Sequence, residues 1–325
     1  MAGPPMSPRP VLALDVGGSK IAAALVEADG TLRGHRVSST SPADGPDRVL
    51  QRALDLAEMV WEVHEGPARP GAIGVSTKGL TSEEGVQLSG MPGWSSLRIP
   101  ALLRERFPTS AAVIVNDVKA ATRAEMTWGA LRGVGHGLYV NLGTGIAAGI
   151  VVAGELVEGA HGAAGEIGYL LPSRDSLARL RSRRAGEEAL PLLEGLVGGG
   201  AVPARTRREL GTALSMEQLI EQSARDSKTA SALDELLDEL AFWIANVAVV
   251  VDPERIVLGG GFLRSKSGLA ERLRDVLERF APFVPEVERA HFGADSALVG
   301  AGALALRLRQ PVTTGASDDF SGELP

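Results

Sequence analysis

Cysteine is absent from this chain of 325 residues, which removes disulfides, thiolate nucleophiles and cysteine-ligated metals from consideration. No long hydrophobic run is present. The most apolar stretch, Val247 to Val251, is cut by Asn246 and Asp252, well short of the roughly 20 residues a membrane span needs. An excess of positive charge is lacking as well: the net charge is −7, and the one basic run is Arg181 to Arg184, a balance that argues against a general nucleic-acid binder. The head, Met1 to Pro10, holds four prolines and no apolar core, so it does not read as a signal peptide. The five histidines (His35, His64, His136, His161, His291) are scattered without ligand spacing. What remains is a cytoplasmic metabolic protein. Its length, about twice that of a common domain, predicts two lobes.

Two glycine-rich turns stand out in the remainder. Asp15-Val-Gly-Gly-Ser-Lys20 precedes the apolar run Ile21 to Val26, and Asn141-Leu-Gly-Thr-Gly145 precedes Ile146 to Val151. In each case a short apolar strand reaches a bend and returns as a second strand. Glycine reaches positive φ cheaply and has no Cβ, so Gly17, Gly18, Gly143 and Gly145 can bring backbone N–H groups around phosphate oxygens. Ser19 and Thr144 add hydroxyls, Lys20 adds a charge, and Asp15 offers a carboxylate that can hold Mg²⁺ through water. Either turn alone is an ordinary hairpin signal, whereas the pair suggests a nucleotide phosphate clasped between two similar halves. Neither turn fits the P-loop spacing.

The element pattern agrees. Strands from Val11, Ile21 and Thr31 are followed by a helix from Pro46 to about Val63, a strand at Ala72 to Ser76, a helix from Ile99 to Arg106 and a strand at Ala111 to Val115. The order restarts at His136 to Leu142 and Ile146 to Val152. A long helical part then runs from about Met216 to Val251, with a strand at Arg255 to Leu258, Gly259-Gly-Gly261, a helix from Ser267 to Phe280, a strand at Val287 to Phe292 and a last helix from Ser296 to about Leu308. Strands and helices in this order predict an α/β protein built as a diverged repeat. The expected boundaries are 11–117 with the C-terminal helix (about 296–309) for the N-terminal lobe and 118–295 for the C-terminal lobe. Residues 1–10 and 311–325 read as disordered.

At Asp15-Val-Gly-Gly-Ser-Lys20, Val115-Asn-Asp117, Asn141-Leu-Gly-Thr-Gly145, Gly162-Ala-Ala-Gly-Glu-Ile-Gly168 and Asp252 to Gly261, the chain resembles the ROK family of bacterial sugar kinases, among them glucokinases and N-acetylmannosamine kinases. The resemblance spans about Val11 to Leu308. It implies the two-lobed actin-like ATPase (ribonuclease H-like) fold with an interlobe cleft, transfer of phosphate from ATP with Mg²⁺ to a sugar hydroxyl, and a homodimer. By the same resemblance Asp117 is the general base, Asn116, Glu166 and Glu194 hydrogen-bond sugar hydroxyls, and Gly259, Gly260 and Gly261 lie against the adenosine. The residues alone leave Asp117 open between base and helix cap, because Asp and Asn both cap helices well.

The chain also departs from that pattern. Tyr169 stands where members carry a zinc-binding histidine, and Ala185, Glu187 and Leu192 occupy the positions of three zinc cysteines, so no zinc site is expected. Lys78 replaces the usual proline of the first sugar loop, and Gly90 an asparagine ahead of Gly93-Trp94. Altered acceptor-side positions beside intact phosphate turns predict an acceptor other than glucose: a rarer hexose, an amino sugar or a C7-cyclitol. The alternatives are a sugar-sensing regulator, for which ten residues ahead of the first strand leave no room for a helix-turn-helix, and a non-catalytic member.

Overall fold

Glycine turns and apolar runs alternate in this sequence so as to build the same sheet twice. The computed structural model describes residues 9–66, 70–82, 85–88, 93–108, 110–182, 192–264 and 268–309. The first half supplies β1 (Val11–Val16), β2 (Lys20–Val26), β3 (Leu32–Ser39), α1 (Pro46–Glu65), β4 (Ala72–Thr77), β5 (Leu80–Ser82), β6 (Gly85–Leu88), α2 (Ile99–Arg106) and β7 (Ala111–Asn116). There follow α3 (Asp117–Trp128), β8 (Gly137–Leu142), β9 (Ile146–Val152), β10 (Glu155–Leu156), α4 (Arg174–Ser182), α5 (Glu194–Val197), α6 (Val202–Leu210) and α7 (Met216–Ser223). The chain closes with α8 (Ser227–Val251), β11 (Arg255–Gly259), α9 (Leu269–Phe280), β12 (Glu286–Arg289) and α10 (Ser296–Leu308).

The first sheet has the order β3-β2-β1-β4-β7 and the second β10-β9-β8-β11-β12. In both, a central strand pairs antiparallel with the strand after its glycine turn and parallel with the next strand inward. Every residue of β1 is buried, as expected for a strand covered on both faces. One face of the first sheet packs on α1 and α2 through Leu50, Trp61, Leu103 and Phe107. The other face packs on α10 through Leu298, Ala301 and Ala305. The second sheet is covered by α8 and α9, where Leu236, Leu240, Ile244, Leu273 and Leu277 meet Leu138, Val140 and Ile256. Its inner face meets α3 at Val118 and Ala121.

The two inner helices therefore lie back to back between the sheets. A Cβ on Gly300 of α10 would sit 1.7 Å from the Ala120 carbonyl oxygen of α3, and a Cβ on Gly74 of β4 would sit 1.9 Å from the Ala301 carbonyl oxygen. Since real contacts of that length do not occur, both glycines are there to let backbones touch.

Three expectations change in detail. The helical part from Met216 is two helices, because Asp226 caps a new one: its Oδ2 accepts from Thr229 N at 2.7 Å and from Thr229 Oγ1 at 2.6 Å. The last strand ends at Arg289 rather than Phe292, where Glu125 takes over the backbone by accepting from His291 N at 2.8 Å and Phe292 N at 3.3 Å. Residues 1–8 and 310–325 lie outside the described residues, but Arg9 and Pro10, expected as part of a loose head, are tied down by the Arg309 guanidinium, which donates to both carbonyls. Among the described residues no helix is long and apolar enough to cross a membrane.

Candidate active site

The parallel strands β1, β4 and β7 end side by side, and their last residues form one wall of the cleft between the sheets. Open α/β sheets bind ligands at such carboxyl ends. Asp15 is the last residue but one of β1, Thr77 ends β4 just before Lys78, and Asn116 ends β7 just before Asp117. Two cavities meet here. One of about 600 Å³ is lined by Lys78, Asn116, Asp117, Glu166, Tyr169 and Glu194, together with Leu80, Ile146 and Leu192. The other, of about 840 Å³, is lined by Asp15, Gly17, Gly18, Ser19, Lys20, Gly143, Thr144, Gly145, Gly260 and Gly261. Lys78, Asp117, Asn141, Thr144, Gly145 and Gly200 belong to both, so Asp117 stands at the junction.

Of the two readings the sequence left open for Asp117, the helix cap falls to its neighbour Asn116. Asn116 caps α3, its Oδ1 accepting from Val118 N at 2.9 Å and Lys119 N at 3.2 Å, while its Nδ2 donates to the Gly79 carbonyl at 3.0 Å. Most of its amide is thus spent on positioning α3 and the Lys78–Gly79 turn. Asp117 accepts one short-range bond, from Val118 N to Oδ1 at 3.0 Å, and its other oxygen accepts none among the described residues. Burial pushes the Asp117 carboxyl up to about 7, helped by the Asp15 charge and opposed by the Val118 amide and Lys78. A carboxyl titrating near neutrality is suited to take a proton at working pH.

Asp15 accepts from Ser76 Oγ at 2.8 Å across the β1–β4 register, and burial raises its pKa against the pull of that hydroxyl and of Lys20. Buried carboxylates facing one another are disfavoured as neighbours and are relieved by a cation. Asp15, with hard oxygen donors facing a polar cavity, therefore fits Mg²⁺. Burial likewise raises Glu166, with Glu194 adding to it and Lys119 and Lys78 opposing. The wall of the cavity of about 600 Å³ thus carries three carboxylates and Lys78.

The turns themselves differ from the expectation in one respect. Gly17, Gly18, Gly143 and Gly145 are not in the left-handed region, so backbone angles do not require glycine there, and the missing side chain makes room within the protein at Gly145. A Cβ on Gly145 would lie 2.0 Å from Glu194 Oε2. The first turn is pinned from β3's end by Thr40, whose Oγ1 donates to the Gly17 carbonyl at 2.7 Å. The second is pinned by Gly199 N to the Gly143 carbonyl at 3.0 Å and Gly200 N to the Thr144 carbonyl at 2.8 Å. Lys20 leans across to the Ala294 carbonyl at 3.1 Å, with Asp295 at 3.8 Å.

Gly259 does not line the cavity. It ends β11 under Tyr139, where an added Cβ would lie 2.1 Å from the phenol oxygen, so packing explains it and Gly260 (φ +93°) and Gly261 remain at the cavity. Gly90, Ala185 and Glu187 lie outside the described residues, while Leu192 lines the cavity of about 600 Å³. Sequence reasoning missed Gly199 and Gly200 as wall residues of the cavity of about 840 Å³, together with Tyr139, Ser215, Glu217 and Ser296. The run Gly198 to Gly200 and the Ser215–Gln218 capping box were the available signals.

Two sheet-bearing lobes with glycine turns facing each other across a cleft make this the two-lobed actin-like ATPase fold. The chain belongs to the ROK family, whose family model matches residues 11–308. It is 28% identical over 303 residues to an N-acetylmannosamine kinase of Escherichia coli O7:K1 (strain IAI39 / ExPEC), covering 91% of this chain and 98% of that protein. Among solved structures, a ROK hexokinase from Thermus thermophilus matches with a TM-score of 0.74 at 29% identity, over 92% of this chain and 98% of that one. A ROK family glucokinase from Streptomyces griseus, solved in complex with glucose and AMPPNP, shares the fold with a TM-score of 0.75 at 22% identity, over 92% and 99%.

Proposed function

We propose that this ROK protein is an ATP-dependent sugar kinase in which Asp117 is the general base and the acceptor is a sugar-like ring other than glucose. The observation that carries the reading is the place of Asp117, on the boundary shared by a nucleotide-sized and an acceptor-sized cavity. Family membership and the kinase relatives support the reaction class. An acceptor hydroxyl oxygen forms a bond to the γ-phosphorus of ATP, the bridge to the β-phosphate breaks, and its electron pair leaves with ADP. The hydroxyl proton goes to Asp117. Lys78, on the same boundary, offers positive charge to the phosphoryl oxygens in flight. Mg²⁺ held through Asp15 would neutralise phosphate charge.

Acceptor choice rests on Tyr169, Lys78, Glu166 and Glu194. A site built to hydrogen-bond a hydroxyl rejects ligands that leave buried polar groups unpaired. Tyr169, 56% exposed at the cavity's edge, offers a phenol where an imidazole is usual. Glucose is therefore expected to fall at least about tenfold below the best acceptor in kcat/KM across a panel of hexoses, amino sugars and cyclitols. Tyr169→His should reorder that panel more than it changes KM for ATP. Glucose as the best acceptor, or an unchanged order in the variant, would contradict the altered-pocket reading.

The same substitutions lead to a zinc-free enzyme. Elemental analysis of active protein should find far less than one zinc per chain, and a zinc-selective chelator should leave turnover with Mg²⁺ intact. Stoichiometric zinc, or inactivation by the chelator, is the opposing result.

A further inference from the structure

Lys119 is buried, 4% exposed, two residues beyond Asp117 in the first turn of α3. An ammonium has three donors and is costly to bury unless all are used. Here all three find oxygen on one loop: the Glu158 carbonyl at 3.0 Å, Glu158 Oε2 at 2.6 Å and the Gly162 carbonyl at 2.7 Å. The loop leads directly into Glu166. Its far end is fastened to β9, where Ala148 N donates to the Gly165 carbonyl at 2.7 Å and a Cβ on Gly165 would lie 1.9 Å from the Ala148 oxygen. Its tip meets β5, since a Cβ on Gly162 would come within 3.2 Å of the Thr81 carbonyl. One side chain therefore ties the helix that starts at Asp117 to the middle of the loop that presents Glu166, while the tip of that loop rests on the β5–β6 hairpin beside the acceptor cavity.

We propose that Lys119 is a positioning residue for the acceptor, holding the loop of residues 158–165 so that Glu166 stays at a fixed place opposite Asp117. This rests on the kinase reading above. The nucleotide is held by other turns, so the effect should be confined to the acceptor side. Misplacement by about 1 Å in such a site costs up to roughly a hundredfold.

The test uses full-length protein carrying Lys119→Met, which keeps the unbranched apolar stem and removes the donors, and Glu158→Gln, which removes one acceptor's charge on an exposed residue and leaves both carbonyls. The best acceptor among glucose, mannose, N-acetylmannosamine and myo-inositol serves as probe. In Lys119→Met its KM should rise at least about tenfold while KM for ATP stays within about twofold, with Glu158→Gln in between. Amide hydrogen exchange in residues 159–166 should speed up in Lys119→Met, with β8 and β9 unchanged. Equal shifts in both KM values, an unaltered acceptor KM, or unaltered exchange in the loop would overturn the proposal. If Lys119→Met fails to fold, Glu158→Gln decides by the same split. Were wild type inert toward all four acceptors with ATP, the kinase reading would be in difficulty, and loop exchange alone would then judge Lys119.

Discussion

Replacing Asp117 with asparagine lowers kcat by about 10² to 10⁴ and leaves ATP affinity within about twofold of wild type. The substitution keeps shape and one acceptor oxygen for Val118 N, and α3 remains capped by Asn116, so the fold has no reason to respond. What is lost is the group proposed to take the hydroxyl proton. The wild-type pH profile carries the same signature. Burial and the Asp15 charge raise the Asp117 pKa to about 7, and a base works only when deprotonated, so kcat/KM for the acceptor falls by about tenfold per pH unit below that value and levels off above it. A variant with more than about half of wild-type kcat, or an acid limb at the position of an ordinary carboxylate, removes Asp117 from the role.

Gly300→Val destabilises the protein by about 3 kcal/mol, the upper end of the usual overpacking range. The cause is the helix crossing between the sheets. An added Cβ at Gly300 falls 1.7 Å from the Ala120 carbonyl, which is backbone and has no rotamer to escape into. On the opposite side α10 is held against β4 at Gly74, so it has nowhere to retreat. The helices must part, and α3 carries Asp117 at its head. Chemical denaturation should show a lower midpoint, with loss of activity in the surviving folded fraction. An unchanged midpoint would mean that the two helices are not packed as described.

The architecture was legible because its signals are local. β1, β2, β4 and β7 are short apolar runs bounded by glycine or by a polar end, and α8 shows buried Leu233, Leu236, Leu237, Leu240 and Ile244 at helical spacing. Residues 174–210 were not read as helical: α4 and α6 are short, rich in arginine and hold few apolar residues, so no long apolar stripe announces them. The helix break falls in the polar stretch Glu221 to Ser231, where Asp226 is the available N-cap signal.

The site was legible in its residue types and less so in their division of labour. Asn116 and Asp117 are adjacent and both suit a helix cap, and only the three-dimensional bonds assign the cap to Asn116. Glycines pose the same difficulty. Gly145 makes room for Glu194 and Gly259 for Tyr139, partners far off in sequence, and nothing near either glycine announces them. Lys119 escaped notice for that reason too, since its acceptors lie on a loop about forty positions further along.

The central claim is acceptor-dependent phosphoryl transfer through Asp117, and one measurement addresses it directly. Wild type and Asp117→Asn are incubated with ATP and Mg²⁺ and a panel of hexoses, amino sugars and cyclitols, while ADP and phosphomonoester are quantified together. The account predicts at least one acceptor for which wild type forms ester and ADP in equal amounts, with both reduced by about 10² or more in the variant. ADP release that no acceptor stimulates, or equal ester formation by both proteins, would contradict it.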